Sequence, residues 1–91
     1  MISVVIPALN EEEAVGPTVE QLKRVLDSND FHGYEIIIVD DGSSDRTAEV
    51  AESVGARVLR HPHNAGYGYS LKHGIREAKH DTIFIMDADL T

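Results

Sequence analysis

Cysteine is absent from the 91-residue sequence. That excludes a disulfide framework, a thiolate zinc site and a cysteine nucleophile, and it fits a reducing compartment. Any metal must then sit on oxygen or imidazole. Basic residues are scarce too: eight Lys and Arg stand against sixteen Asp and Glu, a formal net charge of -8. Nucleic acid demands a basic face, and no Lys/Arg cluster supplies one, so nucleic acid is not expected as a partner. No apolar run approaches the ~20 residues of a membrane span, and the amino terminus carries neither a basic leader nor a cleavage site. Low-complexity linkers and strong internal repeats are missing as well. The chain therefore reads as a soluble, cytoplasmic piece, one small domain over residues 1–91, marginal in stability at this size.

What is present is an alternation of two periodicities. Ser3-Val4-Val5-Ile6 is a β-branched run stopped by Pro7, and Tyr34 to Val39 is a stronger one stopped by Asp40-Asp41-Gly42; both read as buried parallel strands. Ala56 to Arg60 is more polar and fits a sheet edge, whereas Thr82 to Met86 reads as buried again. Between the first two runs, Val15, Val19, Leu22 and Leu26 form one apolar stripe, with Pro17 in the first turn of that helix and Asn10 to Gly16 as a separate turn. A second helix takes Ser44 or Asp45 as its N-cap, turns Thr47, Val50, Ala51 and Val54 inward and ends at Gly55. A third places Leu71, Ile75 and Ala78 on one face. Strand and helix in strict alternation predict an α/β fold: a Rossmann-like parallel sheet of about four strands with helices on both faces, joined by right-handed crossovers. Ligands bind such sheets beyond the carboxyl ends of the strands. The unpaired edge and apolar face of Thr82 to Met86 predict a homo-oligomer or aggregation.

Polar residues gather at those strand ends. Asp87-Ala88-Asp89 follows the fourth run, and the two-residue period of extended chain points both carboxylates to one side, where they can hold one Mg²⁺ or Mn²⁺ with phosphate oxygens and water. The ordinary alternative is a solvated acidic turn. Asp40-Asp41-Gly42-Ser43-Ser44-Asp45 closes the second run; capping accounts for Ser44 or Asp45 but needs neither Asp40 nor Asp41, which can accept from a base N–H or a ribose hydroxyl. Pro7-Ala8-Leu9-Asn10-Glu11-Glu12 is a rigid turn against whose backbone a planar base could lie, or plain punctuation in which Asn10 and Glu13 make a capping box. In His63 to Lys72, two glycines permit close approach and Lys72 can neutralise a phosphate. That stretch is not a dinucleotide fingerprint, because Leu71 replaces the third glycine and the loop follows the third strand. His61-Pro62-His63 lacks a third zinc ligand nearby and reads as loop.

Taken in order, Val4 to Glu12, Ile38 to Asp45, Asn64 to Gly74 and Asp87-Ala88-Asp89 resemble the family 2 glycosyltransferases along the whole chain. Gly66 to Ile75 followed by Asp87-Ala88-Asp89-Leu90-Thr91 resembles most the branch that makes polyprenyl- or dolichyl-phosphate sugars. The resemblance implies a truncated glycosyltransferase A-type fold and inverting transfer from a nucleoside-diphosphate sugar, with a polyprenyl phosphate as acceptor in a full-length protein at the cytoplasmic face of the membrane. By the same resemblance Pro7, Ala8 and Glu11 line the nucleoside pocket, Asp41 bonds the base and Asp40 supports that loop. Lys72 lies near the nucleotide, Asp87 faces the ribose or the metal, and Asp89 of this DXD motif is the main ligand of Mg²⁺ or Mn²⁺. The family's general base lies beyond the metal motif, past Thr91, so the chain is expected to be a fragment that is inactive alone. The rival is a nucleotide-binding or interaction module. A sugar nucleotidyltransferase would open with a Gly-rich, Arg-containing loop that Pro7 to Glu12 lacks.

Overall fold

The computed structural model describes residues 1–31 and 33–89. Seven elements alternate in chain order: β1 (Ile2–Ala8), α1 (Val15–Ser28), β2 (Glu35–Asp40), α2 (Thr47–Ser53), β3 (Arg57–Arg60), α3 (Tyr67–Glu77) and β4 (Thr82–Ile85). The sheet order is β3-β2-β1-β4 and every pairing is parallel. After β3 the chain reverses its progression and returns past β2 to add β4 beside β1, which makes the β1/β4 boundary the topological switch point.

Alternation along the strands sorts the core into two layers. Ile2, Val4, Ile6, Ile36 and Ile38 face α1 and α2, packing with Val15, Val19, Leu26 and Ala51. Val5, Ile37 and Val39 face the other way, toward Leu71 and Ala78 at α3. Helices thus cover both faces, as the alternation predicts. Burying these eight aliphatic strand side chains is worth on the order of 1.5–3 kcal/mol each before chain entropy is counted.

Several local expectations need correction. β1 does not stop at Pro7 but runs through it to Ala8, with Pro7 paired to Val39. Met86 N–H donates to the Val5 carbonyl, so odd-numbered residues of β1 turn their backbone groups toward β4. The ladder with β4 ends at Val5, and the missing N–H of Pro7 therefore faces a side where, among the described residues, no strand is paired. Helix α1 already includes Val15 and Gly16, and Asn10 forms no capping box with Glu13: its carboxamide oxygen accepts from Ser44 instead. Ile75 is 42% exposed, since α3 lays Ser70 and Gly74 against the sheet rather than the face centred on Ile75. β4 is not buried: it is an edge strand, with Phe84 52% and Ile85 48% exposed. A short apolar run has the same pattern at an edge as in the middle of a sheet.

Gly74 sets how closely α3 can approach. A Cβ there would stand 2.4 Å from Val5 Cγ1 and 3.1 Å from Val39 Cγ2. We expect Gly74→Ala to lose about 1–2 kcal/mol of stability, overpacking outweighing the gain of ~1 kcal/mol in helix propensity. Urea denaturation checks this, and a variant as stable as the parent would refute the close packing.

Candidate functional site

The carboxyl ends of β1 and β2 meet the segment that leads from β3 into α3. Asp41 is the first residue past β2; its N–H donates to the Ala8 carbonyl at 2.9 Å, which keeps it in line with β1. Its side chain is buried, and an ionised carboxylate in that position needs donors. It has three. His61 Nδ1 donates to Oδ1 at 2.9 Å, Ala65 N–H to Oδ1 at 2.8 Å and Gly66 N–H to Oδ2 at 3.0 Å. Burial by itself pushes the carboxyl up, but the His61 bond and the two backbone N–H groups outweigh it and hold Asp41 below the usual carboxylate range. Asn64 adds a fourth tie, its amide donating to the Asp41 carbonyl at 2.7 Å.

Neighbouring residues fix the loops on either side. Asp40 is buried and accepts from Ser43 N–H at 3.1 Å, while its carbonyl accepts from His61 N–H at 2.9 Å. Gly42 sits at φ +77°, and a Cβ on it would lie 2.8 Å from the His63 carbonyl carbon, so only glycine allows the two loops to touch here. Arg46, not Ser44 or Asp45, takes the N-cap position of α2; Asp45 stands one residue before it and receives the Thr47 N–H at 3.0 Å and the Thr47 hydroxyl as well. The Thr47 hydroxyl bond is the main cause of a lowered Asp45 carboxyl. Through its second oxygen Asp45 also holds Glu12 N–H at 3.2 Å.

A cavity of about 180 Å³ opens among Pro7, Ala8, Leu9, Asp41, Tyr67 and Ser70. It is smaller than the ~300 Å³ at which sites for whole small molecules begin, a size suited to one flat ring with the rest of a ligand outside. The structure thus brings Pro7, Ala8 and Asp41 together. Glu11 lies apart from them, in a hollow of about 320 Å³ with Asn10, Glu12, Glu13, Ala14 and Asp45. Lys72 is exposed on α3 and does not line the cavity. Asp87 and Asp89 are exposed on either side of buried Ala88, whose carbonyl accepts the Thr18 hydroxyl at 2.8 Å. Thr18, wholly buried on α1, therefore anchors the acidic turn. Among the described residues no group of three His, Cys, Asp or Glu forms a metal cage. Two exposed carboxylates on an anchored turn suit a hard cation that takes its remaining ligands from phosphate and water. Leu90 and Thr91, part of the motif that carries the resemblance, lie outside the described residues.

Residues 3–91 match the family model described as Glycosyl transferase family 2. The chain belongs to that family. Undecaprenyl-phosphate 4-deoxy-4-formamido-L-arabinose transferase of Edwardsiella ictaluri is 41% identical, over 98% of this chain and 29% of its own length. Dodecaprenyl-phosphate galacturonate synthase of Rhizobium johnstonii is 37% identical, over 98% of this chain and 28% of its own. The likeness to the polyprenyl-phosphate branch is thus present in the family relatives. Glucosyl-3-phosphoglycerate synthase from Mycobacterium tuberculosis, solved in complex with Mn²⁺, UDP and glucosyl-3-phosphoglycerate, superposes with a TM-score of 0.84 at 32% identity, covering 100% of this chain and 34% of that one. The glycosyltransferase A-type fold is the one present here. The same synthase has been solved with Mg²⁺ and UDP. The family 2 chain described here spans about a third of the length of the relatives it matches.

Tyr67, Ser70 and His73 lie inside the Gly66 to Ile75 block that carries the resemblance, but neither they nor His61 and Thr18 show an individual role in the sequence. His61 has the pattern of a loop residue, and a hydrogen-bond partner twenty positions away leaves no local spacing to detect. The one available hint was that Asp41 would need donors if buried. Because its folded-state carboxyl is lowered, Asp41 contributes stability that is full above the ordinary aspartate range and is lost as the pH falls through the lower folded value. Asp41→Asn is therefore expected to cost about 2–4 kcal/mol at neutral pH, where an N–H group replaces an acceptor opposite Gly66. The gap between variant and parent should shrink at about pH 3. Urea midpoints at both pH values measure it; a gap that stays constant would contradict the charge-based account.

Proposed function

We propose that these residues form the donor-binding part of an inverting glycosyltransferase that uses a nucleoside-diphosphate sugar, with a polyprenyl phosphate as acceptor in the longer protein. The observation that carries this reading is the cavity at the ends of β1 and β2 with one buried carboxylate, Asp41, in its wall. A planar base enters between the Pro7–Leu9 backbone and Tyr67 and Ser70. Asp41 Oδ2 accepts one hydrogen bond from the protein and keeps a lone pair for a base N–H. The relatives named for undecaprenyl and dodecaprenyl phosphates, and the synthase solved with UDP, support the donor and acceptor classes.

Asp89, with Asp87, would hold Mg²⁺ or Mn²⁺ against the donor's diphosphate. When bound, the cation supplies positive charge to the diphosphate as its bond to the sugar breaks. The chain's own field makes that charge necessary, since a net -8 repels a diphosphate and the acidic turn worsens the repulsion. Thr18 keeps the turn in place through the Ala88 carbonyl. In this reading the 91 residues bind the donor, and the base that deprotonates the acceptor comes from a longer chain of the kind the relatives have. The exposed edge of β4, with Phe84 and Ile85, takes its cover there or from a second copy.

Calorimetric titration with uridine and guanosine diphosphates, with and without Mn²⁺, tests the reading. Binding is expected to require the metal, and Asp89→Asn to weaken the metal-dependent part by roughly tenfold, about 1.4 kcal/mol. Binding equally tight in a chelator, or a Mn²⁺ dependence left intact in Asp89→Asn, would remove the metal role.

A further inference from the structure

Beyond the cavity, two imidazoles and a carboxylate stand in a row. Asp41 Oδ1 and His61 Nδ1 are 2.9 Å apart, and His61 Nε2 and His73 Nδ1 are 2.8 Å apart. The two ring planes are within 15° of parallel with centroids 5.0 Å apart, so the rings meet edge to edge, and Tyr69 packs its ring against His61 at 5.2 Å. The His61 side chain is 8% exposed, so water cannot readily take over either bond. His73 lies on the second turn of α3, one turn past Ser70, while His61 follows β3 and Asp41 follows β2. One chain of hydrogen bonds thus joins the ends of two strands to the helix that carries the far wall of the cavity.

The hydrogens can be placed by elimination. An ionised carboxylate only accepts, so the hydrogen in the first contact belongs to His61 Nδ1. In a neutral imidazole the other nitrogen then has a lone pair, and the hydrogen in the second contact must come from His73 Nδ1. The bond made by one ring nitrogen decides which tautomer the other presents. If His61 carried its hydrogen on Nε2, a lone pair would face Asp41 Oδ1, and the network that holds Ala65 and Gly66 would lose its third member.

We propose that His73 is a positioning residue for the nucleoside pocket: by donating from Nδ1 to His61 Nε2 it holds His61 in the tautomer and orientation that serve Asp41, and it ties α3 to that carboxylate. It touches no part of the base. Its effect passes through His61 to Asp41, to the loop at Ala65 and Gly66, and to Tyr67 and Ser70 at the start of α3. The affinity claim rests on the nucleoside reading of the cavity, whereas the hydrogen-bond claim does not.

The test compares three substitutions of one side chain in the same 91-residue protein. His73→Asn places an amide N–H where Nδ1 stands; His73→Gln carries the same amide at the reach of Nε2; His73→Leu has no donor. Nitrogen-15 spectra of the His61 ring report its tautomer, and amide exchange at Ala65 and Gly66 reports the loop, both without ligand. The parent and His73→Asn are expected to show His61 protonated on Nδ1 alone with slow exchange at both amides, and His73→Gln and His73→Leu to show mixed tautomers and faster exchange. With uridine diphosphate and Mn²⁺, affinity should fall roughly tenfold in the Gln and Leu variants and be retained in Asn, the scale at which outer partners act on a site. Asn and Gln variants that behave alike, an imidazolium at His61 in the parent, or unchanged exchange in His73→Leu would overturn the proposal. Spectra as expected in a parent that binds no nucleotide would uphold the positioning network and remove the nucleoside reading instead.

Discussion

A carboxylate that leaves water must be met by donors, and at Asp41 all three donors come from one stretch of chain, His61 to Gly66. That stretch has no regular structure and few apolar residues to bury, so little else fixes its path. The ionised side chain therefore acts as the template on which the loop is formed. Leaving it unpaired would cost several kcal/mol, which is a large share of the stability a domain of this size can have. The arrangement of β3, α3 and the cavity wall depends on that requirement being satisfied.

The sheet delivers Asp41 to its place. Its N–H continues the parallel ladder onto Ala8, one residue beyond the end of β2, so the carboxylate emerges where β1 and β2 both stop. Small residues complete the geometry. Gly42 lets the β2 loop touch the His63–Asn64 backbone, and Gly74 lets α3 settle on Val5 and Val39, which brings Tyr67 and Ser70 over the end of β1 at Pro7 to Leu9. On the opposite face α1 uses Thr18 to hold the Asp87-Ala88-Asp89 turn, so the two helical layers each secure one part of the polar rim. A family 2 chain of this kind separates packing from chemistry: aliphatic residues inside the sheet, acids at its carboxyl end.

Much of this was legible in the sequence. Strand, helix and strand again were readable because β-branched runs and 3.6-residue stripes have different periods, and the acids fell at strand ends because a chain leaving a sheet needs turn formers. The order of the four motif blocks led to the family, which no single block could do. What escaped was contact at long range. His61 and Asp41 are twenty residues apart, Thr18 and Ala88 seventy, and neither pair leaves a period or a spacing. The exposure of β4 and of Ile75 escaped for a related reason: apolar residues report that they prefer cover, not whether the fold provides it. Asn10 accepts from Ser44 across the site instead of capping its own helix, a tertiary partner prevailing over a local one.

The titration of the Asp41 carboxyl carbon by nuclear magnetic resonance tests the central claim most directly. If the three donors organise the site around an ionised carboxylate, its midpoint in the folded protein lies below the ordinary aspartate value of 3.8, and the Ala65 and Gly66 amide resonances shift together with it. A midpoint at or above 3.8, or amide resonances that do not follow the carboxyl, would mean that burial prevails over the hydrogen bonds and that the loop takes its shape from something else.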